Sequence, residues 1–79
     1  MRITVRHFAI LRERRGVSEE DLDVADGTTV GALYRALFAP AGGPALPVLY
    51  AVNHGWAPPD QALAEGDEVA FIPPLGGGL

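Results

Sequence analysis

Seven residues at the C-terminal end, Pro73-Pro74-Leu75-Gly76-Gly77-Gly78-Leu79, have types and spacing that suit one kind of chemistry. They follow Glu68-Val69-Ala70-Phe71-Ile72, which reads as a strand. Pro73 and Pro74 lack backbone donors and have φ fixed, so a sheet stops there. The glycines beyond have no side chain to bury and lose the most backbone entropy on ordering, so this segment is expected to be a thin, mobile tail. A glycine thread can enter a channel too narrow for any β-carbon, and it ends in a carboxylate. The chemistry this suggests is that of a protein whose own C-terminus is the reactive group.

Few other residues offer chemistry. The chain has no cysteine, which excludes disulfides, thiolate metal sites, persulfides and a cysteine nucleophile. His7 falls on a strand and His54 in a turn, both without carboxylates at ligand spacing. No metal site is expected, and each histidine reads as a satisfied structural group or a solvent-exposed one. The acidic run Glu19-Glu20-Asp21 reads as a solvated loop.

The elements that must position the tail come from one small domain. Seventy-nine residues bury only about 60–65% of the unfolded surface, enough for a carrier or binding module and small for an enzyme pocket. Arg2, Arg6 and Arg12 interrupt the apolar stretch near the start, so no signal peptide is expected. No apolar run approaches the ~18 residues that span a bilayer, and a soluble cytoplasmic protein without membrane partners is expected. Charge is uneven: residues 1–15 carry five arginines and one glutamate (+4), the rest one arginine and nine acids (−8). The net −4 argues against nucleic-acid binding, which is driven by phosphate neutralisation. The polarity could steer a protein partner, and a solvated mixed surface explains it equally well. Lysine is absent, which would suit a protein with an activated acyl group; a GC-rich genome favouring arginine codons is the stronger reading.

Alternation in Arg2–Phe8 predicts a half-buried strand with Ile3 and Val5 on one side and Thr4, Arg6 and Phe8 on the other. Ala9–Arg15 reads as a helical turn or two ending at Gly16. Asp21–Ala25 reads as a second strand with Leu22 and Val24 inward, paired antiparallel with the first, and Asp26-Gly27 as a turn. Thr28 or Thr29 suits an N-cap for a helix presenting Val30, Leu33 and Leu37, with Ala36 and Phe38 beside them. That helix stops near Ala39, since Pro40 disfavours helix before it. Residues 40–47 form a loop. Val48–Val52 is a third strand, Asn53-His54-Gly55 a hairpin-type turn, and Trp56 opens a short return segment ended by Pro58-Pro59. Asp60–Leu63 reads as one helical turn with Leu63 inward, Glu65-Gly66-Asp67 as a turn, and Glu68–Ile72 as the last strand. This order is that of an α+β β-grasp fold: a mixed sheet with one main helix on one face. The first and last strands lie central and parallel, and the helix-free face is open. The domain spans 1–72 and the tail 73–79.

Ala51-Val52-Asn53 and the run from Glu65 through Glu68-Val69-Ala70-Phe71-Ile72-Pro73-Pro74 to Gly78 closely resemble the ubiquitin-like β-grasp sulfur carriers. Phe8-Ala9, Leu11-Arg12-Glu13, Thr29-Val30, Leu33 and Leu37 match as well. The likeness is nearest to the MoaD type, the small subunits of molybdopterin synthase, and extends to ThiS of thiamin biosynthesis. It implies a non-enzymatic co-substrate. A partner adenylating enzyme of the MoeB/ThiF type uses ATP to activate the terminal glycine, Gly78, and sulfur displaces AMP to leave a thiocarboxylate. A free α-carboxylate is ionised at neutral pH and resists attack until activated. The chain has no phosphate-binding loop of its own, and no cofactor is expected to be bound. The tail residues Leu75, Gly76, Gly77 and Gly78 would insert into a MoaE-like large subunit.

The family's docking surface corresponds to Phe8, Trp56 and Ile72, an apolar cluster expected on the open face. Trp56 could instead cover the lower core edge. Asp67-Glu68 could meet arginines of the activating enzyme, and Asp67 equally could stabilise the turn. The family pattern ends at Gly78, so Leu79 departs from it. Leu79 reads as a processing cap removed by a metalloprotease, or as a sign of lost carrier activity. The competing function is a ubiquitin-like modifier or binding module, or a carrier for thiamin, cysteine or tRNA thiolation.

Overall fold

A computed structural model describes residues 1–38 and 46–74. The expected helix stop near Ala39, the loop over residues 40–45 and the tail from Leu75 to Leu79 lie outside the described residues. The elements are β1 (Arg2–His7), α1 (Ala9–Arg15), β2 (Glu19–Asp23), α2 (Val30–Phe38), β3 (Leu49–Val52), β4 (Gly55–Ala57) and β5 (Glu68–Ile72). The sheet order is β2-β1-β5-β3-β4. β1 and β5 are parallel and central, and every other pair is antiparallel. This is the expected β-grasp. Among the described residues no helix is long and apolar enough to cross a membrane.

Period-two alternation sends Ile3, Val5, Val69 and Phe71 to one face, where Leu11, Val30, Leu33, Tyr34, Phe38 and Leu63 close the core over them. Both helices therefore lie on the same side. Thr29 is the N-cap of α2, its Oγ1 accepting from the Ala32 N–H at 3.2 Å. The buried stripe of α2 runs through Val30, Leu33, Tyr34 and Phe38, with Leu37 partly buried. Ala36, expected beside it, is exposed. Phe71 lies at the middle of an aromatic group, with ring centroids 5.1 Å from Tyr34, 6.0 Å from Tyr50 and 6.2 Å from Phe38. α1 turns off at Gly16, whose φ of 79° is left-handed and whose N–H reaches the Arg12 carbonyl at 2.8 Å.

Four local expectations are corrected. The acidic run is not a solvated loop: Glu19, Glu20 and Asp21 open β2, two residues earlier than the strand expected at Asp21. Glu20 fixes this start. It faces the core side, where Arg15 donates to both its oxygens at 2.8 Å and His7 Nε2 lies 2.7 Å from Oε2. Arg15 holds the Glu20 carboxyl below its ordinary value, with His7 adding to the effect. His7 is thus a buried core residue, and its Nδ1 has no partner among the described residues. On the other side, Asp21 accepts from Thr4 Oγ1 at 2.7 Å and Glu19 pairs with Arg6.

Asp60–Leu63 is not helical. Pro59 and Gln61 give their carbonyls to the Gly31 and Val30 N–H groups at 2.9 Å, and the Leu63 N–H reaches Thr28 O at 2.9 Å. The segment makes a turn, the Gln61 N–H reaching Pro58 O at 3.0 Å, and then a single bridge of Ala62 to Thr29, because its backbone satisfies the first free donors of α2. Leu63 is inward as expected. Third, Phe8 follows β1 rather than ending it, and its carbonyl accepts from Leu11 N–H at 3.1 Å. β3 likewise begins at Leu49, one residue later than expected.

Two outcomes follow. A β-carbon on Gly31 would lie 2.8 Å from the Pro59 carbonyl oxygen, a backbone atom that cannot swing aside. Gly31→Ala is expected to cost about 1–3 kcal/mol in urea unfolding. The folded pKa of Glu20 lies below its ordinary 4.5, so its contribution is present above that pH and is lost as pH falls through the folded value. Glu20→Gln is expected to lose about 1–3 kcal/mol at pH 7 and to approach the parent in acid, as read from unfolding curves across pH.

Candidate functional site

Strand register decides which side chains share the helix-free face. Glu19 lies opposite Arg6, Arg6 opposite Ala70, Ala70 opposite Ala51, and Ala51 opposite Trp56. Directly opposed residues point to the same face, so this row crosses the whole sheet. The next row toward the end of β5 pairs Ile72 with Leu49, and the row on the other side sets Asp21 beside Thr4 and Thr4 beside Glu68. The face is therefore divided. Its β1–β2 half is polar and charged, and its β5–β3–β4 half is apolar apart from Glu68 at the start of β5.

Phe8, Trp56 and Ile72, the expected docking residues, all lie on this face. Phe8 is 42% exposed, Leu49 61% and Trp56 72%, which are large apolar groups left in water. The alternative placement of Trp56 at the core edge is excluded by its register with Ala51. Between the bulky residues, Ala51 and Ala70 floor a trough of about 200 Å³ walled by Arg6, Phe8, His54, Glu68 and Ile72. A second apolar hollow lies along Val48, Leu49, Tyr50, Trp56, Ala57 and Pro59. A third, lined by Leu49, Ile72, Pro73 and Pro74, marks where the chain leaves β5. Pro73 is buried and Pro74 exposed, so the body holds the chain through Pro73. Leu75, Gly76, Gly77, Gly78 and Leu79 lie outside the described residues.

The rim of the trough is ionic. Arg6 Nε lies 3.3 Å from Glu19 Oε1 and 3.4 Å from Glu68 Oε2, and His54 Nε2 lies 3.5 Å from the same Glu68 oxygen. Such exposed pairs contribute at most about 1 kcal/mol each. Asp67 is spent on structure: its carboxylate accepts from the Ala64 N–H at 2.8 Å and from Asn53 Nδ2 at 2.9 Å. Among the described residues no three histidine or carboxylate side chains come together to hold a metal. The arrangement offers recognition rather than a reaction centre.

Leu49, Arg6, His54 and Glu68 belong to this face and were not among the expected docking residues. Leu49 was readable: with Tyr50 and Val52 packed against the core, alternation turns Leu49 and Ala51 outward. The rim residues needed the register.

A model of the ThiS family matches residues 5–78. The molybdopterin synthase sulfur carrier subunit of Chlamydomonas reinhardtii is 39% identical over 85 residues, covering 99% of this chain and 100% of that protein. The subunit of the same name from Escherichia coli K12 is 40% identical over 81 residues, covering 96% and 99%. The crystal structure of SAMP1, the small archaeal modifier protein 1 of Haloferax volcanii, superposes with a TM-score of 0.79 at 30% identity, covering 99% of this chain and all of that one.

The exposure of the apolar group has a direct test. Phe8→Glu and Trp56→Glu are each expected to change unfolding free energy by less than about 1 kcal/mol. A core phenylalanine such as Phe71 would cost about 3–5 kcal/mol when truncated. Urea titration of the variants separates the two.

Proposed function

The chain belongs to the ThiS family, and from that premise we propose that it is a cytoplasmic sulfur carrier of molybdenum-cofactor biosynthesis, the non-catalytic small subunit of a molybdopterin synthase. Gly78 is the residue that carries sulfur. Its carboxylate attacks the α-phosphorus of ATP held by a MoeB/ThiF-like adenylating enzyme, and pyrophosphate leaves. A sulfur nucleophile from a donor then attacks the carbonyl carbon of the acyl adenylate, AMP departs, and a thiocarboxylate remains. The ATP belongs to the partner. A MoaE-like large subunit takes the tail and supplies the groups that transfer the sulfur.

One observation carries this reading. Ile72, the last residue of β5, lies on the open face beside Leu49 and immediately before Pro73. A partner that covers the apolar half of the face also takes hold of the chain where the tail begins. Phe8, Trp56 and Ile72 are then the docking residues, and Leu75 to Gly78 the inserted segment. The absence of cysteine supports the same reading, since sulfur has no side-chain carrier here. The names of the similar subunits support molybdopterin rather than thiamin, cysteine or tRNA sulfur as the destination.

The likeness to a small archaeal modifier supports a second reading, in which the same activated Gly78 is attacked by a lysine amine and joins the chain to a target by an isopeptide bond. Both readings need Gly78 as the terminal residue. A leucine there places a branched side chain where the family has hydrogen, and a site shaped for glycine rejects it. Leu79 must therefore be removed first, and a metalloprotease is the proposed agent.

The test compares a chain ending at Gly78 with one that carries Leu79. With the cognate adenylating enzyme, ATP and a sulfur donor, the first is expected to gain the mass of one oxygen-to-sulfur exchange and the second to stay unchanged. Equal thiocarboxylation of both would overturn the processing step. Isopeptide-linked targets without any thiocarboxylate would favour the modifier, and no activation of either form would overturn the carrier reading.

A further inference from the structure

Asn53 and His54 form the connection between β3 and β4, with φ of 52° and 70°. Two-residue hairpin turns of this kind favour Asn followed by Gly, because a β-carbon crowds the backbone at positive φ. The chain has a glycine here, but one residue late: Gly55 is the first residue of β4 and does not have a positive φ. Histidine occupies the position a glycine would suit best. Histidine tolerates left-handed backbone better than most residues, yet it remains worse than glycine there.

The neighbouring Asn53 is compensated within the fold. Its N–H donates to Glu68 O at 2.7 Å, its Oδ1 accepts from the Glu68 N–H at 2.9 Å, and its Nδ2 donates to Asp67. His54 has no comparable return. Its side chain is 81% exposed, and among the described residues its one polar contact is the 3.5 Å approach of Nε2 to Glu68. It nevertheless stands on the wall of the trough that holds Phe8 and Ile72. A position that breaks a local rule without a compensating contact in the fold points to a role outside it.

We propose that His54 is a specificity-determining contact of the docking face, reading a basic side chain that flanks an apolar one on the large synthase subunit. This rests on the docking role given to the open face above. The chemistry follows from the rim. With Nε2 directed at Glu68, 3.5 Å away, Nδ1 is the ring nitrogen left to meet a donor on the partner. Glu19, Glu68 and Asp21 outweigh Arg6 along the adjoining rows, so that donor is an arginine or lysine. The apolar side chain beside it enters over Ala51 and Ala70, the small residues that floor the trough.

The experiment measures calorimetric binding of the full chain to the large subunit from the same organism, together with thermal melting, for His54→Gly, His54→Asn and Phe8→Glu. His54→Gly is expected to melt at the parent temperature or above while binding about fivefold to tenfold more weakly. His54→Asn, which accepts the backbone and keeps an acceptor oxygen, is expected to fall between the two. Parent-like affinity in His54→Gly, with binding lost in Phe8→Glu, overturns the role of His54 and leaves the docking face standing. Parent-like affinity in both overturns the docking reading and this inference with it. A sharp fall in the melting temperature of His54→Gly shows that the side chain serves the fold, and likewise overturns the proposal.

Discussion

The parallel pairing of β1 with β5, from Thr4 beside Glu68 to His7 beside Phe71, is the constraint on which the rest depends. Parallel neighbours need a crossover, and a right-handed one lays its helix on a single side of the sheet. α2 therefore covers one face and α1 joins it through Leu11. With both helices committed there, the other face is left bare. The pairing also means that the chain leaves the body from a central strand. β5 is held by β1 on one side and β3 on the other, with Phe71 packed among Tyr34, Phe38 and Tyr50. The origin of the tail is thus as firmly placed as the core itself.

The long return from β4 to β5 has no regular structure, yet its backbone is well satisfied. Its first part closes the N-terminus of α2 through Pro59 and Gln61, and Gly31 is required because the two backbones approach too closely for a β-carbon. Its last part is closed by Asp67, which reaches both Ala64 and Asn53, while Asn53 brackets Glu68 through backbone and side chain. Those bonds hold the β3–β4 turn against the start of β5. The position of the turn beside the trough is in this way tied to the same strand that leads into the tail.

The strands and main helix were legible because their burial is periodic. Ile3 with Val5, Val69 with Phe71, and Val30 with Leu33 announce their faces, and from them the central parallel pair and the bare face follow. Alternation also put Phe8 and Ile72 on that face, while Trp56 was placed there only through the family resemblance, with the core edge as its alternative. What stayed hidden depends on side chains meeting from distant elements. Alternation puts His7 on the side of Ile3 and Val5, but the partner that makes a buried histidine tolerable, Glu20 thirteen residues on, is not visible locally. The same contact turns an acidic run, which composition reads as solvated, into the start of a strand. Asp60–Leu63 failed for a related reason: its local pattern permits a helical turn, but α2 needs its carbonyls. Leu46 and Tyr34 make the same point, joined by a 2.7 Å hydrogen bond across an expected loop.

Left-handed backbone at residues other than glycine occurs at Ala9, Asn53 and His54 among the described residues, and all of these border the open face. Ala9, at φ 52°, turns the chain sharply out of β1 into α1 directly after Phe8. That turn lets Phe8 stay over the sheet while Leu11 dips into the core on the other side. Without it, the chain would continue as strand and carry the following residues away from the trough. Asn53 and His54 turn β3 back into β4 and bring Trp56 beside Ala51. Conformations that cost free energy are thus gathered at the start of α1 and in the β3–β4 turn, where the sheet presents apolar groups to solvent. A fold selected for stability alone would place glycine at such turns. Their grouping around one face sets the height at which Phe8 and Trp56 stand over Ala51 and Ala70.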